Sequence, residues 1–288
     1  MYYNITGHGL EIVNGELGNI PGFPYFLANP ESTNPLLSVK LGEKVSGKKA
    51  KLLHQFTMEE VNCEFLNDDK SYFCHMKEIG DISWWMEIRP EKDKWMAITN
   101  MHEGTNPYIM RYALWLAFGI AALHQKTISV HASTVTYNGR SILFLGESGT
   151  GKSTQSRLWL QHIPNTELLN DDSPFICMGE NGTPVVWGSP WSGKTPCYKN
   201  IQTPIAALVR LRQAPQNTIK RLKTIEAIGA LQPSLPPMLA ADAKLSVLIQ
   251  ECLSFVLREI PVYGLDCLPN EEAAKLVYST LKNDGWVQ

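Results

Sequence analysis

One stretch limits what this chain can fold into more than any other: SILFLGESGTGKSTQSRLWLQHI, residues 141–163. SILFLG is a short apolar run that suits a buried strand, and it delivers the chain into Gly146. Glycines at 146, 149 and 151 permit the backbone conformations that turn several N–H groups inward. KSTQSRLWLQHI then continues as a helix whose N-terminus adds free donors and partial positive charge. Strand, loop and helix in this order make a cradle for phosphate from Gly146, Glu147, Ser148, Gly149, Thr150, Gly151, Lys152, Ser153 and Thr154. Lys152 would reach the β and γ phosphates and the Ser153 hydroxyl would hold Mg²⁺, so ATP and Mg²⁺ are the expected cofactors.

The residues before the loop refine the fold class. Asn138-Gly139 in YNGR is a hairpin turn between two strand-like segments. It sets an antiparallel strand beside the one that feeds the loop. The expected architecture is therefore α/β with a mixed sheet, not a simple βαβ nucleotide fold.

The same pattern, G-x-x-x-x-G-K-[ST], occurs again as GSPWSGKT at Gly188–Thr195. Here Pro190 removes a backbone donor, and Trp191 fills space that a phosphate would need. Pro196 biases Thr195 away from helix. This segment is not expected to bind phosphate. A glycine turn carrying an exposed Trp191 and Lys194 reads either as an acceptor-side loop or as a structural turn.

Phosphoryl transfer also needs a metal ligand and a group that takes or orients the hydroxyl proton. TELLNDDSPFI ends an apolar segment on Asp171 and Asp172. Neighbours on a strand point to opposite sides, so a bend is expected if both are to face the site. One would then reach the metal and the other act as base. His131, in SVHASTV, lies on the strand paired with the loop-feeding strand, either as a hydrogen-bonded core residue or as a catalyst.

The rest of the chain bounds the setting. At 288 residues there is room for one large domain or two smaller ones. Residues 1–104 read as β-rich, from stretches such as FPYFLA, LLSVKLG and ISWWMEIRP, and residues 105–288 as the phosphate-loop part with C-terminal helices. In NPYIMRYALWLAFGIAALHQ, Asn106 is the expected N-cap and Pro107 the first helical residue. A formal net charge of -2 without a dense basic run gives no reason to expect nucleic acid or an anionic membrane as partner. The apolar run Tyr112–Leu123 is too short to cross a bilayer. No secretory signal is expected from the opening MYYNITGHGLEIV. Six scattered cysteines without C-x-x-C fit reduced thiols of a cytoplasmic protein.

Taken together, VHASTVTYNGRSILFLGESGTGKST and LLNDDSPFI resemble the catalytic domain of HPr kinase/phosphorylase and its kinase-like relatives, over about residues 127–225. The resemblance implies the mixed-sheet fold of phosphoenolpyruvate carboxykinase. It implies ATP phosphates and Mg²⁺ on Gly146–Ser153, Asp171 as base, Asp172 as metal contact, and His131 beside the transferred phosphoryl. A phosphate-contacting arginine would fall at Arg221, with Arg210 and Arg212 as competitors. Two departures stand out. The family signature E-x-R-G-x-G-I is absent, and WGSPWSGKTPCYKN stands in its region. Residues 1–104 do not resemble the family's regulatory domain. HPr as acceptor and the reverse, phosphorolytic reaction therefore do not carry over.

The expected activity is transfer of the γ-phosphoryl of ATP to a serine-type hydroxyl on a protein, peptide or small molecule. A carboxykinase-like reaction on a keto acid and a non-catalytic nucleotide sensor are the rivals. The two look-alike loops can be told apart by calorimetric titration with ATP. Lys152→Ala is expected to abolish binding and Lys194→Ala to leave it nearly intact; equal losses would overturn this ranking.

Overall fold

The computed structural model describes residues 1–32, 34–47, 49–58, 60–80, 82–193 and 195–288. It is a mixed α/β structure of two compact units. One contains Met1–Gln125 and Pro237–Val247, the other Lys126–Pro236 and Leu248–Gln288.

The first unit is built on an eight-stranded sheet. Its strands are β1 (Tyr2–Ile5), β2 (His8–Ile12), β3 (Pro35–Lys40), β4 (Lys51–Met58), β5 (Val61–Asn67), β6 (Tyr72–Lys77), β7 (Ser83–Pro90) and β8 (Trp95–Thr99). They lie in the order β1-β2-β3-β8-β7-β6-β5-β4, parallel only where β3 meets β2 and β8. FPYFLA, read from sequence as strand-like, instead holds a 3-10 turn at Phe23–Phe26, with proline at its start and Gly22 at φ 93°. Helix α1 (Pro107–Leu123) starts as expected, the Asn106 side chain accepting from the Tyr108 N–H at 3.0 Å.

The unit boundary falls elsewhere than after residue 104. Helix α1 packs on β3 and β6, so it belongs with the first sheet. Residues 237–247 return to that unit late in the chain. There the Asp242 carboxylate accepts from the Tyr72 hydroxyl at 3.2 Å and from the N–H groups of Lys244 and Leu245 at 2.9 and 3.0 Å.

The second unit carries the phosphate-loop segment. It begins with β9 (Ile128–Ser129), β10 (Ala132–Tyr137), β11 (Arg140–Leu145), α2 (Lys152–His162), β12 (Thr166–Asp172), β13 (Phe175–Met178) and β14 (Pro184–Trp187). The twelve-residue β15 (Gln202–Gln213) and the short β16 (Thr218–Arg221) follow. After α3 (Thr224–Leu231) the chain runs through α4 (Pro237–Ala240), which belongs to the first unit, and α5 (Ala243–Glu259), which begins there, to β17 (Val262–Cys267) and the terminal α6 (Glu271–Asn283) of the second.

The sheet order is β12-β10-β11-β15-β14-β13-β9, with β17 also on β15 and β16 on β17. The pairs β11–β15 and β15–β17 are parallel and the others antiparallel, a mixed sheet as expected. Asn138 and Gly139 both have positive φ, 46° and 76°, which suits the two-residue turn between β10 and β11.

Parallel pairing brings the carboxyl ends of β11, β15 and β17 to one rim of the sheet. Leu145 lies opposite Arg210, and Gln213 opposite Cys267. Below that rim Phe144, Trp159, Val209, Tyr263, Val277 and Leu281 form a core that joins β11, β15 and β17 to α2 and α6. Among the described residues no helix is long and apolar enough to cross a membrane. Phe144 is fully buried, its ring centroid 6.0 Å from that of Trp159. Phe144→Ala is expected to lower stability by about 3–5 kcal/mol in urea denaturation.

Candidate active site

The loop between β11 and α2 has the form the sequence requires. Gly149 and Gly151 have φ of 81° and 106°, a region that L side chains rarely adopt. Gly146 is needed for a different reason: a Cβ there would lie 2.2 Å from the Thr150 hydroxyl oxygen. Gly151 caps α2, so the first turn of the helix, with Ser153, opens onto the loop. Thr150 closes the turn, its N–H and hydroxyl both donating to the Glu147 carbonyl at 3.3 and 2.8 Å.

Lys152 is 9% exposed, and its ammonium donates to the carbonyls of Gly146 and Glu147 at 2.9 and 3.0 Å. Burial pulls it below the ordinary lysine value; Asp172 opposes that shift, Arg210 adds to it, and Asp171 again opposes it. Four charged groups thus act on one another at the rim where the loop begins.

Arg210 is one of them because of register. It lies beside Leu145, the residue before Gly146, on the strand parallel to β11. One terminal nitrogen, Nη2, is 3.6 Å from the Glu147 carboxylate, and the other, Nη1, is buried without a hydrogen-bond partner among the described residues. Arg221, the arginine that the resemblance singles out, lies elsewhere. Arg221 ends β16 opposite Tyr263, at the level of Val209, with β15 and β17 between it and β11. Its guanidinium lies over the Trp286 ring, 5.9 Å from the centroid. Arg212 is engaged by Asp266 in two hydrogen bonds of 2.7 and 2.6 Å. Of the three arginines, Arg210 is the one placed beside the loop.

The acidic pair ends β12, and the two carboxylates diverge. Asp171 is 5% exposed and accepts from the Ser133 hydroxyl at 2.6 Å. Ser133 commits its proton to that carboxylate, so the Ser156 hydroxyl, 2.6 Å away on α2, is the donor to Ser133. The second oxygen of Asp171 is buried with no hydrogen-bond partner among the described residues. A buried acceptor left so is costly. Asp172 is 38% exposed at its side chain, with Oδ1 3.1 Å from His131 Nδ1. If that nitrogen carries the proton, His131 Nε2 is left as an acceptor. The His131 N–H donates to the Ser234 carbonyl at 2.7 Å, which fixes where the ring begins.

The second pattern match lies against this strand end. No helix follows it, and its glycines serve close packing. A Cβ on Gly188 would lie 2.0 Å from the Lys199 carbonyl oxygen, and one on Gly193 would lie 2.7 Å from that of Asp171. The Gly193 N–H donates to the Asp171 carbonyl at 3.0 Å, and Ser192 forms a bridge with Asp172. Trp191, expected to be exposed, is 3% exposed and packs on Phe175 with ring centroids 5.7 Å apart. The expected exposure is therefore corrected: the indole is in the core. Lys194 lies outside the described residues.

Asn170 joins the two segments. It is fully buried; its Oδ1 accepts from the N–H groups of Asp172 and Ser173 at 3.1 and 2.9 Å. Its Nδ2 lies 3.3 Å from the Ser189 carbonyl, 3.3 Å from the Ser189 hydroxyl and 3.2 Å from the Trp191 carbonyl. Asn170, Ser133 and Ser156 were not distinguished as site residues by local sequence, whereas Arg210 was named there only as a competitor of Arg221. Of the first three only Asn170 had a signal, its place directly before the acids.

A divalent cation would find a hydroxyl at Ser153 and a half-exposed carboxylate at Asp172. That set is sparse, as suits Mg²⁺ shared with phosphates and water. No cluster of three or more potential metal ligands occurs among the described residues.

No family model matches this chain, and no curated protein matches it. Among solved structures it is similar to the HPr(Ser) kinase/phosphatase of Coxiella burnetii, at 11% identity and a TM-score of 0.30. The match covers 55% of this chain and 95% of that one. At this degree of overlap no residue's role is carried across. The site's own geometry makes a prediction: Asn170→Ala strands several buried polar groups and is expected to lower stability by about 2–4 kcal/mol in chemical denaturation.

Proposed function

We propose that the second unit is an ATP- and Mg²⁺-dependent phosphotransferase with a phosphoenolpyruvate carboxykinase-like core, moving the γ-phosphoryl to a serine-type hydroxyl of a protein, peptide or small molecule. The observation that carries this reading is the grouping at one sheet rim of a glycine loop, Lys152, Arg210 and two carboxylates, one of them with a buried oxygen that has no partner among the described residues.

Lys152 exchanges the Gly146 and Glu147 carbonyls for β and γ phosphate oxygens, and the loop N–H groups and the start of α2 hold the rest. Arg210 turns its free nitrogen to the transferring group, where charge spreads over the equatorial oxygens. Mg²⁺, held by Ser153 and Asp172 with the phosphates, supplies charge neutralisation. The acceptor oxygen bonds to the γ phosphorus, the bond to the β-phosphate oxygen breaks, and ADP leaves. The hydroxyl proton goes to Asp171, whose other oxygen is fixed by Ser133 and Ser156. His131, paired with Asp172, stands beside the acceptor.

Transfer from labelled ATP to components of a cell extract tests the activity. Asp171→Asn is expected to bind ATP normally and to lower kcat by roughly 10²–10⁴. Asp172→Asn raises the Mg²⁺ concentration needed. Arg210→Ala lowers kcat by about 10²–10³, while Arg221→Ala stays within about twofold of the parent. A larger loss at Arg221 than at Arg210 would falsify the arginine assignment, and unaltered turnover in Asp171→Asn would remove it as base.

A further inference from the structure

A cavity of about 360 Å³ opens beside the phosphate loop, a size within the range of small-molecule sites. Gly149–Gly151 and Thr154 form one wall, so anything bound there is continuous with whatever lies on the loop. The facing wall comes from the ends of β15, at Gln213 and Ala214, and of β17, at Cys267. This is the crevice beyond the carboxyl ends of parallel strands, where open α/β sheets take their ligands. Gln213 ties its two sides together, its amide donating to the Gly149 carbonyl at 3.1 Å.

Two features of the lining bear on what would fit. Ala214, Cys267, Leu268 and Pro269 give it an apolar wall, and burial pushes the Cys267 thiol up, so it stays neutral. Leu268 is 38% exposed, an apolar side chain left in water at this cavity. Thr150, Thr154 and Gln213 line it as well, and one further polar group is both buried and unmatched. Gln155 on α2 is 2% exposed, lines the cavity, and its amide nitrogen has no hydrogen-bond partner among the described residues. A buried donor without an acceptor calls for a ligand atom. A slot with an apolar wall, polar groups toward the loop and one buried donor left unmatched, joined to a phosphate cradle, matches a flat heterocycle on a sugar: apolar faces, acceptor edge, phosphates at one end.

We propose that this cavity receives the base and ribose of the nucleoside triphosphate, with Leu268 and Pro269 against the ring and the Gln155 amide donating to a ring nitrogen or sugar hydroxyl. The proposal rests on the phosphate-loop reading above and extends it to residues that contact no phosphate.

Binding of Mg·ATP and of Mg·tripolyphosphate to the full chain separates the two. Tripolyphosphate can occupy the loop but has nothing to put in the cavity. Gln155→Leu is expected to weaken ATP roughly five- to tenfold and to leave tripolyphosphate within about twofold. Leu268→Asp, at a partly exposed position that tolerates a polar side chain, should show the same selective loss with an unchanged near-ultraviolet circular dichroism spectrum. Equal weakening of both ligands, or unchanged ATP affinity in both variants, would overturn the nucleoside assignment. Failure of the unsubstituted chain to bind tripolyphosphate would overturn the phosphate-loop reading, and this assignment with it.

Discussion

One buried amide, that of Asn170, holds the acidic end of β12 in place. Its oxygen takes the N–H groups of the two residues that follow Asp171, and its nitrogen faces carbonyl and hydroxyl oxygens of the 188–195 segment. All are removed from water, where an unmade hydrogen bond costs most. The carboxylates therefore have fixed origins. From there Asp171 runs under α2 to Ser133 and Ser156, and Asp172 turns to His131. Without this tie, two neighbouring acids close to a buried lysine would be free to follow the strongest charge. With it, Lys152 feels both from set positions.

The electrostatic balance at the rim follows from strand register. Arg210 is beside the loop because β15 pairs in parallel with β11 at Leu145. Arg221 is remote because β16 pairs with the far side of β17. Neither fact is written locally. The loop was legible for the opposite reason: strand, glycines, lysine and helix are contiguous, and each glycine answers a local demand. The Asn138-Gly139 turn was legible in the same way and yielded the mixed sheet.

Other readings depended on partners far along the chain. Trp191 looks exposed in a glycine-rich segment, yet Phe175 and the strand end above it provide a place to bury the indole. The buried character and N-cap of α1 were plain from its sequence, but not which sheet it would cover. Residues 237–247 gave no sign that a carboxylate at 242 would be held by a tyrosine 170 positions earlier. Hydrogen bonds over such separations are fixed by packing, so single-sequence patterns do not encode them. Ser133 and Ser156 are likewise ordinary serines until β10 and α2 bring their hydroxyls within 2.6 Å.

The two matches to the same eight-letter pattern share a cause as well as a spelling. In both, the pattern opens on a glycine that is present because something comes closer than a Cβ would allow. At Gly146 it is the hydroxyl of the loop's own threonine; at Gly188 and Gly193 it is backbone carbonyl oxygen. A carbonyl repels an anion where an inward N–H attracts it. Such a glycine records the distance of approach and not the polarity of the visitor. Genome scans that count such patterns will gather false positives wherever one backbone is pressed against another, and the sign of the facing dipole is what sorts them.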